Sequence, residues 1–167
     1  MEINKSKLQK VITVTGEGNT GKTTLIKFVY DTLRQSGAIV LFYEQVGAFF
    51  EDFHTVLVCN CKIIAICSIG DEADKKEKDP WKYIKEGIDL AINHNADYLI
   101  NALSIPIPDN NDAQNTINEY KDILGQNFPS DSYTPINLEY IKPGDYKPLQ
   151  ERQSNCKKIL NIISKEE

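Results

Sequence analysis

The chain has 167 residues, 41% of them hydrophobic and 26% charged, which fits one globular domain over residues 1–167 and excludes a disordered polymer. Nineteen Lys and Arg against 24 Asp and Glu leave a net charge of −5, so broad capture of nucleic-acid phosphates is not expected. No apolar run approaches the ~20 residues of a membrane helix, and the N-terminus MEINKSKLQK lacks the apolar core of a signal peptide, so the expected location is cytoplasmic, away from membranes.

Val11 to Thr15 is a short β-branched run that reads as a buried strand. A glycine-rich turn follows, then a helix from Lys22 to Gln35 with Leu25, Ile26, Val29, Tyr30 and Leu33 on one face. Ser36-Gly37 ends it. Ala38 to Tyr43 is the second strand, and Gly47 to Phe53 fits no element. Thr55–Cys59 and Lys62–Ile69 flank Asn60 as a β-hairpin. Asp79-Pro80 opens a helix over Pro80–Asn93, and Asp97–Leu103 is the next strand. Ser104 to Asp112 is a loop, because two prolines and an Asp/Asn cluster forbid both ladders. Asp112 can cap a helix carrying Ala113, Ile117, Tyr120 and Leu124. Pro135–Ile141 is a last strand and Pro148–Ser164 a closing helix. Strands alternating with helices predict an α/β three-layer sandwich with a mostly parallel sheet. The hairpin adds one antiparallel strand, expected at an edge.

The four cysteines, Cys59, Cys61, Cys67 and Cys156, have no Cys/His spacing that makes a tetrahedral site with His54 or His94. They read as reduced thiols in a cytosolic chain.

The sharpest signal is Gly16-Glu17-Gly18-Asn19-Thr20-Gly21-Lys22-Thr23, which matches G-x-x-x-x-G-K-[ST]. The pattern alone arises by chance in about one chain in two hundred of this size. Context raises its weight, because a strand precedes it and a helix starts at its own lysine. A cation at that position opposes the positive end of the helix dipole, which makes sense with an anion in place. Gly16, Gly18 and Gly21 allow backbone angles closed to other residues. Amides from Asn19 and Thr20 through Thr24 can cradle phosphate oxygens, Lys22 can reach the β- and γ-phosphates, and the Thr23 hydroxyl can bind Mg²⁺. At these residues the chain resembles the P-loop NTPase superfamily. The resemblance implies a nucleoside triphosphate with Mg²⁺ and leaves the reaction open.

That resemblance also implies an acid near the metal at the end of another strand. Ile63 to Glu72 looks like such a Walker B element, with Asp71 as the Mg²⁺-associated carboxylate and Glu72 able to orient a water. Gly70 makes the spacing imperfect, and Ser68 is the alternative if the strand ends earlier. Glu44 ends the second strand, where ligands bind in open α/β sheets. In the deoxynucleoside kinases, an acid at the corresponding strand end acts as base toward an acceptor hydroxyl. Asp109 to Asp112 read as turn and cap.

Several elements of related families are missing. The only arginines are Arg34 and Arg152, whereas nucleoside monophosphate kinases use several around the acceptor phosphate, where lysine is a poor substitute. Lys75, Lys76 and Lys78, mixed with Glu77 and Asp79, read as a solvated loop. Asn101-Ala102-Leu103-Ser104 lacks the Lys and Asp of a guanine-reading N-K-x-D, which puts ATP ahead of GTP. Glu17 stands where deviant Walker ATPases carry a lysine. The reading is a Mg²⁺-dependent ATP- or GTP-binding protein and slow NTPase, with room for a protein partner that supplies an activating arginine. Its rivals are a small-molecule kinase with Glu44 as base and a non-catalytic nucleotide sensor.

Overall fold

The computed structural model describes residues 7–16, 21–46, 52–69, 79–105, 112–138 and 148–165. Six strands and four helices follow in chain order: β1 (Lys10–Gly16), α1 (Lys22–Gln35), β2 (Ile39–Val46), β3 (Asp52–Cys59), β4 (Lys62–Cys67), α2 (Lys82–Asn93), β5 (Tyr98–Ser104), α3 (Asp112–Gly125), β6 (Tyr133–Asn137) and α4 (Pro148–Ser164). α1 and α4 keep the bounds expected from their periodicity.

The strands form one sheet in the order β2-β3-β4-β5-β1-β6. β1 runs parallel to both β5 and β6, and β4 runs parallel to β5. β3 is antiparallel to both β2 and β4. Asn60 and Cys61, both at positive φ (49° and 61°), make the two-residue turn between β3 and β4. Positive φ at both central residues matches the right-handed twist of paired strands.

The antiparallel strand is not at the edge. The crossover through α1 carries β2 to the far side of the sheet, and the β3–β4 hairpin fills the space between β2 and β5. β3 therefore lies one strand in, and β2 is the edge.

Alternation along the strands supplies two packed faces. On one, Ile12 and Val14 of β1, Ile64 and Ile66 of β4, and Ile100 of β5 meet Leu25, Ile26 and Val29 of α1 and Ile159 of α4. On the other, Val11, Ala65 and Leu99 meet Ile84 and Ile88 of α2 and Tyr120 and Leu124 of α3. Each fully buried Leu, Ile or Val contributes roughly 1.5–3 kcal/mol. The α/β sandwich with a mostly parallel sheet is thus the observed architecture. No helix among the described residues is long and apolar enough to cross a membrane.

One polar group sits inside the second face. Thr13 Oγ1 donates to Asn101 Oδ1 (2.9 Å), Asn101 Nδ2 donates to Tyr120 Oη (2.8 Å), and Tyr120 Oη lies 2.7 Å from Thr13 Oγ1. Each group in this closed ring can donate once and accept once, which removes the penalty for burying three polar side chains. The ring ties α3 to β1 and β5.

Candidate functional site

β1 ends at Gly16, and the chain re-enters the described residues at Gly21, the residue before α1. Glu17, Gly18, Asn19 and Thr20 lie outside the described residues. Gly21 has φ of 86°, in the left-handed region. A Cβ there would meet nothing within 4 Å, so backbone conformation alone favours glycine. β1 ends at the carboxyl edge of the sheet, and α1 leads away from that edge. Gly16 is held in the sheet by its pairing with Ser104 and by Ile105 N–H donating to its carbonyl (2.9 Å). On the other flank, the Thr15 hydroxyl donates to Asn137 Oδ1 and Leu138 N–H donates to the Thr15 carbonyl (2.8 Å).

Lys22 opens α1 and is only 5% exposed. Thr24 is exposed and Thr23 half-buried. The Thr23 hydroxyl faces two oxygens, Asp52 Oδ1 at 3.2 Å and the Ser68 carbonyl at 3.4 Å. Ser68 is fully buried. Its hydroxyl donates to Asp52 Oδ1 (3.0 Å) and accepts from Phe53 N–H (2.8 Å), while Ser68 N–H donates to the Phe53 carbonyl (3.0 Å). Ser68 thus clamps the start of β3 to the end of β4 and presents the Asp52 carboxylate to Thr23. The result is an all-oxygen cluster of two hydroxyls, a carbonyl and a carboxylate beside a buried ammonium-bearing residue at a helix start.

Asp52 is the residue that sequence reasoning missed. Parallel strands finish at the ligand-binding edge, so the residues at strand ends are the ones a sequence points to. An antiparallel strand delivers its first residues to that edge instead. The hairpin reading already contained the signal: if β4 is parallel to β1, β3 must begin at the edge where β1 ends. β3 starts three residues earlier than its apolar run, at Asp52.

Asp71 and Glu72 lie outside the described residues, and β4 ends at Cys67. Of the segment Gly47–Phe53, only Asp52 and Phe53 are described; of Ser104–Asp112, Ser104 closes β5 and Asp112 begins α3. Glu44 is not the end of its strand, because β2 continues to Val46. It is exposed and pairs across the ladder with His54 of β3. His54 is buried, and its Nε2 has no hydrogen-bond partner among the described residues. Burial holds its pKa below the ordinary histidine value, against the opposing pull of Glu44 and then Asp52. Neutral pH therefore leaves an uncharged imidazole beside two acids.

Arg34 lies away from this edge. The Arg34 guanidinium donates to the Ala38 carbonyl (2.6 Å) past the far end of α1. Arg152 lies one turn before Cys156, whose thiol is 3.9 Å from Thr32 Oγ1 in the later half of α1. The chain matches no protein-family model, no curated protein and no solved structure.

Proposed function

We propose that this chain binds a nucleoside triphosphate with Mg²⁺, ATP ahead of GTP, and hydrolyses it slowly. The observation that carries the reading is the Thr23–Asp52–Ser68 cluster next to Lys22, where the glycine-rich motif meets α1. Lys22 then neutralises the β- and γ-phosphates from the positive end of α1, where its own charge would otherwise be unfavourable. Backbone amides at the start of α1 donate to phosphate oxygens, which supply the acceptors they lack inside the helix.

An all-oxygen donor set with one carboxylate suits a hard cation such as Mg²⁺. Thr23 and Asp52 would hold it, and Asp71, three residues after Ser68, is the second carboxylate assigned to that ion. When bound, Mg²⁺ supplies charge neutralisation for the transferring phosphoryl group. Ser68 acts on Asp52, keeping its carboxylate turned to Thr23. Glu72 retains the assignment of orienting the attacking water. Catalysis here rests on positioning and charge, as in phosphoryl transfer generally.

Nucleotide titrations with and without Mg²⁺ test the assignment. Asp52→Asn is expected to weaken Mg²⁺-dependent ATP binding at least tenfold and Mg²⁺-free binding hardly at all. The same comparison with Asp71→Asn measures its share. Equal losses in both conditions for Asp52→Asn would remove it from the metal site. ADP release that appears only with an added hydroxyl acceptor would replace hydrolysis by phosphoryl transfer, with Glu44 as the base to test.

A further inference from the structure

Among the described residues, β2 is an edge strand of eight residues that pairs on one side only, with β3. An open ladder of N–H and C=O groups is a template for another strand, and edge strands usually carry lysine, proline or a short length against this. The opposite edge has such protection: β6 is five residues long and contains Pro135, which has no N–H to offer. β2 contains neither Lys nor Pro, and its single charge is Glu44. Its side chains are also unusual. Ile39, Leu41 and Tyr43 are 63%, 53% and 47% exposed, and they are three of the five large hydrophobic residues exposed among the described residues. The ladder to β3 shifts register between Val40 and Phe42, so Leu41 has no partner in it.

We infer that β2 is a homodimer interface, in which two copies of this chain pair their β2 strands antiparallel about a two-fold axis at Leu41 and join their sheets into one. The sequence favours a second copy because it complements itself about that residue. With Leu41 opposite Leu41, Val40 faces Phe42 and Ile39 faces Tyr43, so every central pair is apolar. Glu44 falls opposite Ala38, and the two Glu44 carboxylates stand about 20 Å apart along the ribbon, beyond a Debye length of about 10 Å. Within Ile39–Val46, no other two-fold register keeps five consecutive apolar positions matched. Two-fold symmetry also sets the two bulges opposite each other, so both strands twist alike at the contact.

The dimer joins the edge to the site already described. Tyr43 stacks on Phe53 (ring centroids 5.7 Å apart, planes 13° apart), and Tyr30 of α1 lies against both rings, 6.0 Å from Tyr43 and 5.3 Å from Phe53. Phe53 directly follows Asp52. A partner strand covering Tyr43 therefore packs onto the residues that hold the start of β3 in place. The inference does not depend on the identity of the ligand there.

Sedimentation of the full chain tests it. A single strand-to-strand contact is small, so the parent is expected to form dimers with a dissociation constant on the order of micromolar. Leu41→Lys and Leu41→Glu are each expected to sediment as monomers with unchanged far-UV circular dichroism, because each sets like charges across the axis. Mixing the two variants in equal amounts is expected to restore a dimer. A parent that stays monomeric up to about 1 mM overturns the inference and leaves a strand of another protein as the occupant of the edge. A dimer that survives Leu41→Lys, or a variant mixture that stays monomeric, overturns the two-fold register at Leu41.

Discussion

Lys22 is a buried charged residue at the end of a helix that favours anions. It stands at the N-terminus of α1, where the helix dipole disfavours a cation by roughly 0.3–1 kcal/mol at an exposed site. An anion bound at the turn reverses the sign. Lys22→Ala is therefore expected to abolish the thermal shift that ATP with Mg²⁺ gives the parent, while the ligand-free melting temperature stays the same or rises. Calorimetry with and without nucleotide reads both quantities, and a variant that still binds as tightly as the parent would remove the phosphate assignment. Ser68 makes a second case at this scale. Its hydroxyl bonds both Asp52 Oδ1 and Phe53 N–H inside the protein. Ser68→Ala leaves Phe53 N–H without its acceptor and is expected to cost about 1–3 kcal/mol in urea denaturation. It should also weaken Mg²⁺-dependent nucleotide binding, because Asp52 loses the group that aims it.

Among the elements, α2 packs unusually close to β4. A Cβ built on Gly87 would lie 2.8 Å from Cys67 Sγ and 3.3 Å from its Cβ. Cys67 is fully buried, and burial raises its thiol pKa far above the ordinary range, so it behaves as a small apolar group. Alanine improves helix propensity by up to about 1 kcal/mol, whereas overpacking costs about 1–3 kcal/mol. The clash is with a side chain pinned at the sheet, so it wins. Gly87→Ala is expected to destabilise the fold by about 1–2 kcal/mol in chemical denaturation. Cys67→Ala introduced beside it should return part of that loss, and a double-mutant cycle giving no coupling would show that α2 has simply shifted. The glycine was invisible to sequence reasoning because α2 reads as a regular amphipathic helix with or without it. Only the approach of β4 gives the position meaning.

For the whole molecule, the distribution of arginine sets the expected rate. A guanidinium inserted at the γ-phosphate accelerates hydrolysis by about 10³–10⁵ in switch-type enzymes. Arg34 is engaged at the far end of α1 with the Ala38 carbonyl, and Arg152 sits on α4, near the turn that meets Thr32. The isolated chain is expected to turn over ATP or GTP below roughly 0.1 per second, between the intrinsic rates of switch GTPases and those of assisted enzymes. Replacing both arginines with Lys should change that rate less than tenfold. Steady-state phosphate release measures it, and brisk turnover that collapses on Arg152→Lys would place the activating arginine in this chain and remove the need for a partner.

The sequence determined by itself what depends on local chemistry. Hydrophobic period and turn residues gave α1 and α4 their bounds, Asn60 its hairpin and Gly37, at φ of 94°, the end of α1. The motif from Gly16 to Thr23 is likewise written in consecutive residues, so the strand before it and the helix after it could be read without a structure. Tertiary structure decided what depends on strand order and direction, which are non-local. Apolar alternation says that β3 is a strand but not that two neighbours cover it, so β2 and not β3 became the edge. Nor does a lone aspartate before an apolar run reveal which end of the sheet it reaches. Asp52 is 29 residues from Thr23 along the chain and 3.2 Å from it in space, because β3 runs against its neighbours and begins where they finish.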